Sequence, residues 1–392
     1  MTIFQDNQIS KLLKSIVFRS HKKYLEELTN LLNNKRMIIL SWHHKSWKLS
    51  FIRDFLLKTK LDNKVFFFHK SFLVSEVTNW KILINQLNQS LKYNNNIKLI
   101  ILSDFNKIPE IKDFIQYIYN HKNNFKVILI WNTIQIPWIP ELEYLPELNT
   151  HFKNTETVSH WVLPEIIHSS NNNLVRNYLD LIVSDMYTKD IFITFSIKDI
   201  EMYQLTMTYL AKLYNHISLR ELQKWLSEIQ HITLKTTIDY INFSLRSKII
   251  KPVHKYDFKK EKIISSRIKY YFTDNGIRNS ISKYSLSNNQ LKENLLYQLL
   301  TYNWYKVYSG LNGTFDFTFY WKTEEDGLCL HYSQVTEKIE LKKEINKLNK
   351  VPVDWKKYLV LDSIEDVWIK KLIYDDVEIV EYQEIFQKFQ TK

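Results

Sequence analysis

Glycine is almost missing from this sequence. Four occur in 392 residues, alongside seven prolines and one cysteine, and Ala211 is the only alanine. A strongly AT-biased coding sequence accounts for this composition and for the runs rich in Lys, Asn and Ile. It does not relax the backbone, because a missing glycine removes the least strained residue for any turn with positive φ. With Cys329 alone, an intrachain disulfide is excluded, and so is a four-thiolate zinc site. No apolar run reaches the length of a membrane span, and no charged-then-apolar signal segment opens the chain. A cytoplasmic protein without a membrane partner is expected.

What is present is a globular composition, 45% hydrophobic and 15% aromatic, long enough for several domains with real cores. The formal charge is +12, and it is sorted along the chain. Residues 235–271 hold ten Lys and Arg against three Asp and Glu, whereas residues 359–387 hold eight acids against two lysines. A segregated basic segment is better evidence for a nucleic-acid partner than a high overall charge.

Periodicity organises the front of the chain. Residues 21–33 read as an amphipathic helix, and 36–41, 64–68, 97–102 and 125–131 are short apolar runs of buried-strand type with helical patterns between them. Apolar strands alternating with helices indicate a parallel sheet covered on both faces, which binds ligands at the carboxyl ends of its strands. Pro137, Pro140, Pro146 and Pro164 mark the exit from this region. The expected division is 1–165, a parallel P-loop-type α/β domain; 166–275, a helical and winged-helix module; and 276–392, a small α/β domain.

After the first strand stands Trp42-His-His-Lys-Ser-Trp47-Lys48-Leu49, in the register of the phosphate-binding pattern G-x-x-x-x-G-K-[ST]. Trp42 and Trp47 replace both glycines and Leu49 the hydroxyl residue that would touch magnesium. Indoles there fill the space in which backbone N–H groups would curl onto phosphates. After the third strand, Ser103-Asp104-Phe-Asn-Lys-Ile-Pro resembles the Walker B stretch of AAA-type ATPases, with Ser103 at the magnesium-holding aspartate and Asp104 at the water-activating glutamate. Asn132, after the fourth strand, stands at the position of a polar sensor of the terminal phosphate.

Further matches extend the resemblance to nearly the whole chain: Lys269-Tyr-Tyr-Phe-Thr-Asp-Asn-Gly276, Glu293-Asn294 opening a helix, Gly313-Thr-Phe-Asp316-Phe, and a strand around Gln334-Val-Thr. The chain resembles prokaryotic AAA-superfamily P-loop ATPases that carry a winged-helix module and a C-terminal restriction-endonuclease-like domain of unknown function. The resemblance implies ATP and magnesium as ligands if the nucleotide site still works. In the last domain it implies a metal-dependent constellation at Glu293, Asp316 and Gln334, where Gln334 stands for an acid and the usual lysine is absent. Both sites are degenerate by this reading, so no cofactor and no resident metal are expected. Gly276 and Gly313 survive in a glycine-poor chain, which argues that their turns need positive φ.

Ser218 and Thr233 are candidate caps for helices over 219–226 and 234–247, followed by strand-like segments at 249–253 and 263–271. In such a module the second helix enters the major groove. Lys235, Arg246, Lys248, Lys251 and Lys255 are therefore the expected duplex-DNA contacts. The expected function is a degenerate ATPase kept as a nucleic-acid-associated or partner-binding scaffold. Its rivals are a working ATPase with an unorthodox loop, and a protein-interaction or homo-oligomeric platform built around Trp42 and Trp47.

Overall fold

The computed structural model describes residues 22–41, 48–61, 64–69, 80–93, 97–103, 111–120, 125–131, 139, 141–143, 171–302, 306–313, 315–322, 327–335, 338–351, 355–362 and 376–390. The chain divides into two units, Met1–Glu147 and Leu148–Lys392.

In the first unit α1 (Lys22–Asn34) leads into β1 (Met37–Ser41), followed by α2 (Lys48–Thr59), β2 (Val65–His69), α3 (Trp80–Tyr93), β3 (Leu99–Ser103), α4 (Ile111–Asn120), β4 (Lys126–Trp131) and β5 (Glu141–Glu143). The strands form one sheet in the order β2-β3-β4-β1-β5, with every pairing parallel. Strands β1 and β3 are buried along their whole length, which is why their sequences are apolar without alternation. Ile39, Phe68, Leu102 and Leu129 share a core with Leu83 and Leu87 of α3 and Phe114 and Ile118 of α4. The alternate residues Ile38, Leu40 and Ile101 are equally buried. They belong to the other face, where α1 lies against β1 and meets α2 through an edge-to-face contact of Tyr24 and Phe51. Arg36, just before β1, donates to the carbonyls of Ile118 and Tyr119 at 3.2 and 2.8 Å, placing a cation at the negative end of α4.

The second unit opens with α5 (Asn172–Met186), which continues through a π-helical stretch (Tyr187–Phe192) into Ile193–Phe195 and ends at Ser196, φ 52°. Then come α6 (Ile200–Lys212), α7 (Leu219–Ser227), α8 (Leu234–Arg246), β6 (Ile250–Asp257), β7 (Lys262–Phe272), α9 (Asn275–Ile281) and α10 (Asn288–Tyr302). The chain closes with β8 (Val307–Asn312), β9 (Phe315–Lys322), β10 (Gly327–Tyr332), α11 (Lys338–Asn349), β11 (Lys356–Leu361), β12 (Val377–Glu381) and α12 (Tyr382–Gln390). Ser218 and Glu221 form a reciprocal capping box on α7, and Thr233 caps α8 through the N–H of Thr236. One mixed sheet, β12-β11-β10-β9-β8-β6-β7, runs through this unit. The basic hairpin β6–β7 joins it because β6 pairs in parallel with β8, Lys255 opposite Ser309.

Three local expectations are corrected here. Gly313 does take positive φ, 67°, but Gly276 does not. Gly276 lies inside α9, where a Cβ would come 2.8 Å from Leu179 Cδ2, so close helix packing and not turn geometry requires it. Glu293 does not open its helix: Ser287 and Gln290 bond reciprocally at the start of α10, and Glu293 follows in its second turn. Gln334 is not on a strand, because β10 ends at Tyr332 and the chain leaves the sheet after Ser333 donates to Val360.

Candidate functional site

The crevice of the first sheet follows from its order. From β1 the chain crosses to the β2 edge, while from β4 it crosses to β5 at the opposite edge. Adjacent strands that send the chain in opposite directions leave a crevice at their carboxyl ends. Ser103, the last residue of β3, is buried at the adjoining strand end, opposite Ile130 of β4. Lys48 and Leu49 form the first turn of α2. Trp42, Trp47, Asp104 and Asn132 lie outside the described residues, as do the side chains of Lys48 and Leu49.

In the second unit, two of the sequence stretches singled out above meet each other. Glu293 is buried, and one of its oxygens accepts from both Lys269 Nζ and the Tyr271 hydroxyl at 2.5 Å. Burial first, and then the Glu293 charge, raise the pKa values of Tyr271 and Tyr214 well above the usual tyrosine range. Asn294, beside it, accepts from the Phe272 N–H at 2.9 Å and donates to the Phe272 carbonyl at 2.8 Å, completing the end of β7 as a neighbouring strand would. It also donates to Asn275, which in turn donates to the Leu291 carbonyl. Asp274 caps α9 through Ile277 N–H. Arg278 donates to the carbonyls of Ala211 and Gln290, and burial lowers its pKa to about 10. Lys269 through Arg278 and Glu293–Asn294 are thus one latch that fixes α10 to the hairpin.

Asp316, on β9, is more than half exposed and bonds Lys255 Nζ at 2.8 Å. It lines a cleft of about 460 Å³ together with Tyr214, Asn289, Gln334, Glu344 and Lys347. Glu293 is not among the walls. The constellation implied by the resemblance is therefore divided: Asp316 and Gln334 share the cleft, whereas Glu293 is held in the latch. A metal does not fit these residues, because each acid already has a lysine, Lys269 or Lys255, in the place of a cation. Among the cleft residues missed by sequence reasoning, His331 bonds Glu344 at 3.3 Å, and Lys347 bonds the same carboxylate at 2.8 Å. The hydrogen bond with His331, and then that with Lys347, hold Glu344 down to about 2. The i,i+3 spacing of Glu344 and Lys347 on a helix was the only sequence signal for this group.

His216, in the α6–α7 connection, was also missed. Its Nε2 shares a 2.6 Å hydrogen bond with the Ser309 hydroxyl. Burial, then the charges of Lys255, Lys269 and Arg267, lower its pKa to about 3.

The expected DNA contacts are dispersed. Lys235 and Arg246 are exposed on α8, with the Arg246 guanidinium over the Phe195 ring. Lys248 has φ 57° and follows the C-cap of α8, where Ile249 N–H returns to the Ser244 carbonyl. The Lys248 carbonyl accepts from the Thr273 hydroxyl. Lys251 and Lys255 lie on β6, and Lys255 is occupied by Asp316. Arg267 and Lys269 are likewise paired with Glu221 and Glu293. Lys259 and Lys262, at the hairpin tip, are exposed.

A family model described as "Domain of unknown function (DUF8612)" matches residues 160–288. The match includes Tyr214, His216, Lys255 and Lys269 and stops short of Glu293 and Asp316. No curated protein matches the chain. Among solved structures, the chain is similar to the Walker-type ATPase PABY2304 of Pyrococcus abyssi, at 11% identity and a TM-score of 0.42, over 69% of this chain and 99% of that chain. It is also similar to protein VC1899 from Vibrio cholerae, at 11% identity and a TM-score of 0.21, over 91% of this chain and 96% of that chain. At such scores the architecture stands on its own strand order. Among the described residues, no helix is long and apolar enough to cross a membrane.

Proposed function

We propose that this chain is a P-loop-ATPase-like scaffold that has lost efficient ATP hydrolysis and nuclease chemistry and engages duplex DNA through its basic helix and hairpin. The observation that carries this reading is the lysine occupation of both acids in the second unit. Lys269 on Glu293 and Lys255 on Asp316 supply internally the charge balance that a divalent metal would supply at a phosphodiester. Ser103 and Leu49 support the same loss at the nucleotide crevice. The DNA contact is supported by Lys235, Arg246, Lys259 and Lys262, which have no acid partner among the described residues.

Mg-ATP is expected to leave the melting temperature unchanged at micromolar concentration. A true ligand at a hundredfold excess over its dissociation constant would add about 2.7 kcal/mol of stability. A shift that saturates at micromolar ATP would restore the reading of a working ATPase with an unorthodox loop.

Duplex DNA is expected to bind weakly and with a steep salt dependence. Four phosphate contacts at about 0.9 each imply a log–log slope of about −4. Anisotropy titrations from low to moderate salt measure it, and replacing Lys235, Lys259 and Lys262 with Ser should lower the slope by about three. Unchanged binding by the triple variant would reduce the basic segment to a solvated surface and leave a protein-interaction platform as the better reading.

A further inference from the structure

The cleft in the second unit is lined by aromatic rings, amides and paired charges. Its volume of about 460 Å³ suits a small molecule. Its charges are already matched: Glu344 takes His331 and Lys347, and Asp316 takes Lys255. No cation among the described lining residues is left over to draw in a free phosphate, and no acid is left without a cation to draw in a metal.

Tyr214 gives the cleft its stacking surface. The residue as a whole is 45% exposed, although a lysine sits over its ring. Its hydroxyl interacts with Glu293, and Lys269 Nζ sits over the ring 4.3 Å from its centroid. Tyr214 lines the cleft, whereas Lys269 does not. A cation over one face of an aromatic ring draws electron density from it, which favours stacking of an electron-rich heterocycle on the other face.

Beside this platform are groups that read an edge. The Tyr332 hydroxyl donates to Asp362 at 2.8 Å and lies 3.3 Å from the Asn289 amide, which in either orientation keeps an N–H without a partner among the described residues. Gln334 is exposed at the rim. Asp316 uses Oδ2 for Lys255, while Oδ1 carries none of the hydrogen bonds found among the described residues. Amides beside a carboxylate acceptor match a base that presents a ring acceptor next to an exocyclic amino group.

We propose that this cleft binds a nucleobase bearing an exocyclic amino group, stacked on Tyr214 and read by Asn289, Gln334 and Asp316. The base comes either from a free nucleotide or from a single strand. The site does not depend on duplex binding by the hairpin.

Calorimetric titration of the full chain tests the proposal with AMP, CMP and UMP, and separately with single-stranded oligo-dC and oligo-dT. AMP and CMP are expected to bind saturably and UMP more weakly. If the strand is the natural source, oligo-dC binds and the monomers do not. Tyr214→Ala should weaken binding about tenfold or more, while Tyr214→Phe retains it. Asp316→Ala should erase the preference for CMP over UMP, or for oligo-dC over oligo-dT. Gln334→Ala, at an exposed position, provides a second loss of affinity should Tyr214→Ala fail to fold. Absence of saturable binding by every probe overturns the proposal, as does binding that a folded Tyr214→Ala variant and Gln334→Ala both leave unchanged.

Discussion

Glu293 and Asp316 each hold one lysine of the same hairpin, yet they stand in opposite surroundings. The Glu293 side chain is 3% exposed and shares one oxygen between Lys269 and Tyr271, while the Asp316 side chain is 56% exposed and has Lys255 alone. Removing Glu293 strands Lys269, 13% exposed, together with a buried tyrosine hydroxyl. Removing Asp316 lets water in at a half-exposed position beside Lys255, 15% exposed, at lower cost. The same two residue types therefore form a structural latch in one place and an adjustable wall of a cleft in the other.

The largest effect that would sharpen this contrast is the loss of Glu293. Glu293→Ala should destabilise the second unit by about 3–5 kcal/mol in urea unfolding, because Lys269 and the Tyr271 hydroxyl lose their acceptor. Asp316→Ala should stay within about 1 kcal/mol of the parent. Equal costs for the two variants would break the distinction between latch and cleft.

A smaller effect probes the latch from its apolar side. Gly276→Ala places a Cβ 2.8 Å from Leu179 Cδ2 and 3.1 Å from the capping carboxylate of Asp274. A cost of about 1–3 kcal/mol is expected, with nucleobase affinity unchanged in the folded fraction. A neutral Gly276→Ala would mean that α9 and α5 have room to separate.

The mildest test is pH. His216 is bonded to Ser309 and feels the charges of Lys255 and Lys269, with its pKa lowered from 6.5 to about 3, first by burial. Between those values the unfolded chain binds the extra proton, so stability is complete above pH 6.5 and declines as pH falls toward 3. The slope from this residue is at most about 1.4 kcal/mol per pH unit. His216→Gln should flatten the curve between pH 6.5 and 4.5. Below about 4.5 a second decline is expected as protonation of Glu344, held down to about 2, begins to favour the unfolded chain. An identical acid limb in parent and variant would remove His216 from the account.

Much of the fold was legible because periodicity reports burial directly. Strands β1 to β4 read as unbroken apolar runs, and Ser218 and Thr233 announced α7 and α8 by their caps. The candidate site was legible only in pieces. Asp316 and Gln334 do share a cleft, but Tyr214, His216 and His331 carried no pattern that marked them. Gly276 was misread because scarcity shows that a glycine is needed and not whether φ or a neighbouring side chain needs it.

The sequence by itself determined the local states: which stretches are strands or helices, where the helices begin, and where cations concentrate. Those depend on side chains within a few residues of one another. Only the tertiary structure decided that Lys269 meets Glu293, that Lys255 meets Asp316, and that the hairpin continues the last sheet through β6 and β8. Such contacts join positions 24 and 61 residues apart, and no local pattern records which acid a lysine will reach. The number of basic residues was written in the chain, but how many of them remain free for a polyanion was set by the acids that the fold brought alongside.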